Sequence, residues 1–304
     1  MSINMKIGIN GTGSLATLDQ VIAEATKTEE AGFDSFWIAQ IFGMDALTAL
    51  AVVGREVPRI ELGTAVVPTY PRHPMMMAGQ ALTVQLASQN RLALGIGLSH
   101  QIVIESLWGY SYDKPIRHMR EYLSALLPLL QGESVDIHGE GLTCVGGVDV
   151  QGAEAPPVIV AALGAQMLKL AGENGCGTIT WCTGEHALLS HVVPKINKAA
   201  EDAGQRAPRV IAGLPVCVTS DPEAAFAIVA EQLSLYGGLP SYRAMLDIDG
   251  AEGPADVAII GDEGQVAAQL HRLADGGVTE FSAVIVAPNS DDHSRTWNLL
   301  KSLI

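Results

Sequence analysis

Basic side chains are scarce: 18 Lys and Arg stand against 33 Asp and Glu, leaving a formal charge of −15 at pH 7 over 304 residues. Such a surface repels nucleic acid and anionic lipid at long range, so neither is an expected partner. An anionic ligand has to be held locally, by backbone N–H groups or a few cations. Cysteine is rarer still. Cys144, Cys176, Cys182 and Cys217 form no CxxC and no cluster, which argues against structural zinc and against a disulfide framework. The eight histidines contain no HExxH. No apolar run reaches the ~18 residues of a membrane span. The opening MSINMKIGIN lacks the layout of a secretion signal, so the expected location is the cytoplasm. Aromatic residues make up only 5%, yet 48% of the chain is hydrophobic, enough for a large core and too much for a disordered chain.

Short apolar runs alternate with amphipathic stretches of helical period. Strands are expected at 6–10, 33–39, 60–67, 91–97, 157–162, 177–182, 209–219 and 280–286, with helices near 17–31, 44–56, 74–89, 116–130, 165–174, 185–203, 221–236, 263–276 and 292–303. Thr17 and Gln20 form a capping box and Gly32 suits a left-handed helix end. Asp221-Pro222 supplies a cap followed by Pro in the first turn. Eight strands in alternation with helices, apolar on both faces, describe a single (β/α)8 TIM-barrel domain over 1–304, with a doubly wound sheet as the alternative. Two segments interrupt the rhythm. Residues 134–150 read as a small hairpin with Gly turns; 236–261 reads as a long Gly/Pro-rich insertion, a lid, interface element or binding loop.

Several strand ends carry chemistry. Gly11-Thr12-Gly13-Ser14-Leu15-Ala16 matches GxGxxA, but the capping box delays the helix, and the second strand ends in Ile38-Ala39-Gln40 where a ribose-binding acid belongs, so an active-site loop is the better reading. In Gly95-Ile96-Gly97-Leu98-Ser99-His100 a buried strand runs into a polar loop. In a barrel this places Ser99 and His100 at the active-site mouth, where a histidine can exchange a proton near neutral pH. Ala162-Leu163-Gly164-Ala165 opens a helix with small residues, which suits either close approach of a phosphate to backbone N–H groups or tight packing; Cys182-Thr183-Gly184 offers a second such turn. Leu62–Tyr70 supplies an apolar wall with no charge, and Trp108 and Tyr110 read as core.

AGFDSFWIAQ, LGTAVVPTYPRHP, NRLALGIGLSH, SYDKPIRHMREYL and APPVIVAALG, in this order, resemble the bacterial luciferase-like superfamily, and within it the coenzyme F420-dependent oxidoreductases. The resemblance implies a (β/α)8 barrel with insertions, usually a homodimer, binding a deazaflavin or flavin at the strand C-termini. It places Gln40 beside the ring, where many members have histidine, and a non-proline cis peptide at Ala65–Val66 behind it. Gly97, Leu98 and Ser99 would line the ring. His100 takes a position where some members hold a glutamate proton donor. Ala162, Leu163, Gly164 and Ala165, with Cys182, Thr183 and Gly184, would hold the phosphate. The expected function is hydride transfer between coenzyme F420 and a small molecule, with Gln40 and His100 as catalytic residues. Arg55, Arg72, His73 and Lys114 are the nearest cations to offset the acidic surface. The rivals are an FMN-dependent monooxygenase on the same fold, a phosphate-binding barrel lyase or isomerase, and a non-catalytic coenzyme-binding protein.

Overall fold

A computed structural model describes residues 3–11 and 15–304, so Thr12, Gly13 and Ser14 of the GxGxxA motif lie outside the described residues. The strands are β1 (Lys6–Asn10), β2 (Ser35–Ile38), β3 (Glu61–Thr64), β4 (Val67–Pro68), β5 (Leu92–Gly97), β6 (Val135–His138), β7 (Thr143–Gly146), β8 (Val158–Val160), β9 (Gly177–Trp181), β10 (Val210–Val218), β11 (Ile259–Gly261) and β12 (Glu280–Ile285). The helices are α1 (Leu18–Ala31), α2 (Ala46–Glu56), α3 (Pro74–Ala87), α4 (Pro115–Leu130), α5 (Ala165–Glu173), α6 (Glu185–Ala187), α7 (Val193–Asp202), α8 (Pro222–Gly237), α9 (Pro240–Asp249), α10 (Glu263–Asp275) and α11 (Ser290–Leu303).

The chain divides into two compact units. One gathers Thr28–Phe36 and Ala162–Ile304 with the first strand. In it β1 pairs in parallel with β12, β12 with β10, and β10 with both β9 and β11. All nine residues of β10 are buried, as expected of a parallel strand covered on both faces. The other unit contains Trp37–Ala161. There β5 pairs in parallel with β3, β4 and β8, and all six β5 residues are buried. The strand order β11-β10-β12-β1-β2-β3-β5-β8-β9, with β10 also paired to β9, is cyclic, the topology of a (β/α)8 barrel.

The local signals hold where they were strongest. Thr17 Oγ1 accepts from Gln20 N at 3.2 Å and Gln20 Oε1 accepts from Thr17 N at 3.1 Å. Gly32 has φ +91°. Asp221 caps α8 by accepting from Ala224 N at 3.1 Å. Residues 135–146 form the expected antiparallel hairpin, β6 on β7.

Three readings need correction. The segment 236–261 is not a loop: it holds α9, started by Pro240, anchored by buried Met245 and Leu246 and ended by left-handed Gly250, then a 3-10 turn at Pro254–Val257 and β11. The third strand is not continuous to Val67; it stops at Thr64 and pairing resumes at β4. Tyr110 is not core, being 47% exposed.

The base of the first unit is built around one acid. Glu280 opens β12 with no exposed surface; it accepts from Ser35 Oγ and from Arg209 Nη2. A buried carboxylate needs such partners, because desolvation alone costs several kcal/mol.

Candidate functional site

In the unit holding Trp37–Ala161, the ends of β3, β4 and β5 meet at an interrupted strand. The Ala65–Val66 peptide is cis. Its flanks are held by backbone bonds: Ala65 N donates to Ile38 O at 2.8 Å, and Val66 O accepts from Gln40 N at 3.1 Å. Gly95 and Gly97 are glycine for steric reasons. A Cβ on Gly95 would lie 1.8 Å from Thr64 O, and one on Gly97 would lie 2.7 Å from Val66 Cγ2. These two glycines let β5 pass directly beneath the interruption.

The Gln40 side chain is committed to the chain itself. Its Oε1 accepts from Ala46 N at 2.7 Å, and its Nε2 donates to Ile41 O at 3.4 Å. It shapes the β2–α2 turn rather than standing as a bare amide. Past β5, Leu98, Ser99 and His100 are half-buried, with Ser99 at φ +60°. The His100 carbonyl accepts from Val103 N at 2.9 Å and Ile104 N at 3.0 Å, so the residue starts the following helical turn. Burial holds its imidazole below the ordinary value of 6.5.

A cluster drawn from the TYPRHP and SYDKPIRH segments, to which no role is assigned from sequence, stands on the same end. Tyr70 stacks on His118 with ring centres 4.0 Å apart and planes 2° apart, and on Tyr112 at 5.4 Å. Tyr112 OH donates to Ser99 O at 3.5 Å, which ties the cluster to the β5 loop. Burial pushes His118 down to about 4, Glu121 opposing, so it is neutral at pH 7 and bonds Thr69 Oγ1 at 2.9 Å. The Tyr70 hydroxyl is buried without a hydrogen-bond partner among the described residues. Burial, then Tyr112, Asp113 and Glu105, push its phenol well up, keeping it a donor. Of the cations considered for an anionic ligand, Arg72 is engaged by Asp45, and His73 bonds Thr143 O at 2.9 Å.

In the unit holding Ala162–Ile304, two turns follow the strands. Gly164 is the N-cap of α5 with extended backbone (φ −72°, ψ 148°) and no side-chain cap, and no atom lies within 4 Å of where its Cβ would stand. Gly164 and Ala165 are exposed, while Ala162 is buried and Leu163 half-buried. His191 Nε2 lies 2.8 Å from Leu163 O and fixes the turn. The second turn is different. Cys182 is buried in the left-handed region at φ +48°, and burial pushes its thiol up, which disfavours the reactive thiolate. Thr183 Oγ1 donates back to Trp181 O at 3.2 Å. Gly184 N donates to Asp249 Oδ2 at 2.8 Å. Sequence reasoning missed Asp249, which lies 65 residues further along the chain.

The four cysteines are free thiols. Among the described residues no helix is long and apolar enough to cross a membrane.

The family profile for luciferase-like monooxygenases matches residues 2–280. A 5,10-methylenetetrahydromethanopterin reductase of Methanolobus tindarius is 27% identical over 298 residues, covering 88% of this chain and 90% of that protein. An F420-dependent secondary alcohol dehydrogenase, solved with an F420-acetone adduct, superposes with TM-score 0.81 at 16% identity, over 99% of this chain and 98% of that one. The oxygenating constituent of 3,6-diketocamphane monooxygenase from Pseudomonas putida, solved with FMN, superposes with TM-score 0.76 at 16% identity over 98% and 96%. Both solved structures share the fold, and the matched profile spans nearly the whole chain. The chain belongs to the luciferase-like monooxygenase family.

Proposed function

We propose that this protein is a two-electron oxidoreductase that uses coenzyme F420, acting on a small organic molecule. The observation that supports it best is the open turn at Gly164–Ala165: an uncapped, exposed helix N-terminus on a protein of charge −15 is a local place for a phosphate where the surface at large offers none. The near full-length similarity to a methylenetetrahydromethanopterin reductase and the likeness to an F420-dependent alcohol dehydrogenase point the same way.

In this reading Ala162, Leu163, Gly164 and Ala165 hold the phosphate, with Cys182, Thr183 and Gly184 beside it. Gly97, Leu98, Ser99 and the Ala65–Val66 segment line the ring. F420, when bound, supplies a hydride from a ring carbon and does not efficiently activate oxygen. The chain itself places the ring, excludes water and moves a proton. His100 suits the proton step. It is half-buried, stands past the C-terminal end of β5, and carries an imidazole that takes up a proton below pH 6.5. Gln40 fixes the turn beside the ring through its bond to Ala46 N.

Two binding measurements test this. F420 is expected to bind in the micromolar range or tighter, about 8 kcal/mol or more, and FMN more weakly. Tighter binding of FMN in a fluorescence titration, with oxygen consumption by the reduced flavin, would instead make the protein a monooxygenase. A Gly164→Leu variant should fold normally, because its backbone suits any residue and the space is empty, but should lose F420 affinity by blocking the N–H groups. Unchanged affinity would move the phosphate elsewhere.

A further inference from the structure

The turn after β9 carries a negative charge that the chain itself supplies. Asp249, the last residue of α9, accepts from Gly184 N at 2.8 Å and from Ala187 N at 2.9 Å. Gly184 leaves room for this contact: a Cβ there would lie 2.7 Å from Cγ and Oδ1 of Asp249, and equally close to Val257 Cγ1. A serine or threonine at position 184 could have capped Ala187 N without charge, though not its own N–H. The chain instead keeps glycine and brings in a carboxylate from a distant helix. The surroundings reinforce the sign. Glu185, Glu252 and Asp256 line the same pocket of about 530 Å³ as Gly184 and Asp249, together with His186, and among the described residues no lysine or arginine lines it. Glu185 is matched by Arg272 at 2.8 Å, while Asp256 accepts from Glu252 N and Gly253 N at 2.8 and 3.0 Å. Asp249 faces only backbone N–H groups in these contacts.

The two candidate coenzymes differ in charge at the group this turn would meet. The terminal phosphate of FMN is a monoester carrying about −1.5 to −2 at neutral pH. The phosphate of F420 is a diester inside the molecule and carries a single charge. We propose that Asp249 is a specificity-determining residue: its carboxylate, seated on the Gly184 turn, disfavours a doubly charged phosphomonoester and tolerates a singly charged phosphodiester. This rests on the reading that places the coenzyme phosphate at the turns 162–165 and 182–184.

The test measures binding of riboflavin, FMN and F420 to the wild type and to Asp249→Asn, which keeps an acceptor oxygen for the helix and removes the charge. Riboflavin lacks the phosphate, so the FMN-to-riboflavin ratio isolates the phosphate's contribution. In the wild type FMN is expected to bind no tighter than riboflavin. In Asp249→Asn it should bind roughly tenfold tighter or more, about 1.4 kcal/mol, while F420 changes by less than about threefold. The same FMN-to-riboflavin ratio in both proteins overturns the proposal, as does an equal gain for FMN and F420. Asp249→Ser, checked for folding by circular dichroism, serves as a second variant. If neither variant folds, Asp249 is a structural cap and the proposal fails. If the wild type does not bind F420, the coenzyme reading fails instead, and the FMN-to-riboflavin comparison still decides what the Asp249 charge does.

Discussion

His100→Ala is expected to lower turnover by roughly 10²–10⁴ while changing F420 affinity only a few-fold, the usual scale for losing a general acid or base. The expectation rests on placement. His100 follows the glycine-bearing β5, is half-buried, and has its imidazole held below 6.5 by burial. The sign of the pH dependence follows. When reduced F420 reduces an acceptor, the protonated imidazole is the active form, so the rate should fall as pH rises, along a limb centred below 6.5. In the opposite direction the neutral form is active and the limb inverts. The alanine variant should lose this limb. His118 does not confuse the assignment, since its own titration is pushed down to about 4. If His100 serves only to start the turn at Val103 through its backbone carbonyl, which alanine retains, the variant will keep its fold, its rate per folded molecule and the limb. A pH–rate profile at fixed folded concentration separates the two.

Arg209→Met should be strongly destabilising although it lies away from the site. It removes the arginine partner of Glu280, whose side chain is fully buried, and leaves the neutral Ser35 hydroxyl as a donor to that carboxylate. Breaking one side of a buried pair typically costs ~3–5 kcal/mol, and with Arg209 itself 25% exposed the loss should fall toward the lower end. The double variant Arg209→Met/Glu280→Leu should recover much of that loss in thermal unfolding. A small effect of the single variant would show that water reaches Glu280 in place of the arginine.

The sequence revealed repeating features well and long-range contacts poorly. The strands β5 and β10 were legible because parallel strands covered on both faces read as unbroken apolar runs, and β1, β9 and β12 because shorter apolar runs stand between helical stretches. The interruption after Thr64 was not legible in the apolar pattern, which Ala65, Val66 and Val67 continue on either side of it; only the family resemblance singled out the Ala65–Val66 bond. Helix α9 was hidden by its punctuation. Gly237, Gly238, Pro240, Gly250, Gly253 and Pro254 read as a loop, and only Met245 and Leu246 are buried to mark a helical face. The turns at Gly97, Ser99, His100 and Gly164 could be placed from strand ends alone. The occupant of the Gly184 turn could not, since Asp249 reaches it only through the packing of α9. The same holds for Tyr70 and His118, which lie in two separate segments of the family resemblance and whose rings meet across 48 residues of sequence. Arg72 looked like a cation available to an anionic ligand and is instead engaged by Asp45.

Thr64 stands where the backbone ladder between β3 and β5 gives out. Its hydroxyl donates to Gly95 O at 2.7 Å and accepts from Gly95 N at 2.8 Å, so one side chain makes both bonds that a neighbouring strand would have made. Continuity of the sheet at this point therefore depends on a mutable position rather than on the invariant peptide unit. Thr64→Val, nearly the same in volume, would leave two buried backbone groups of Gly95 unsatisfied, at about 1–3 kcal/mol each. Serine would preserve both bonds. In this chain the interruption is thus marked by a hydroxyl residue at its start and a glycine facing it on the next strand, a pair 31 residues apart that hydrophobicity profiles do not register.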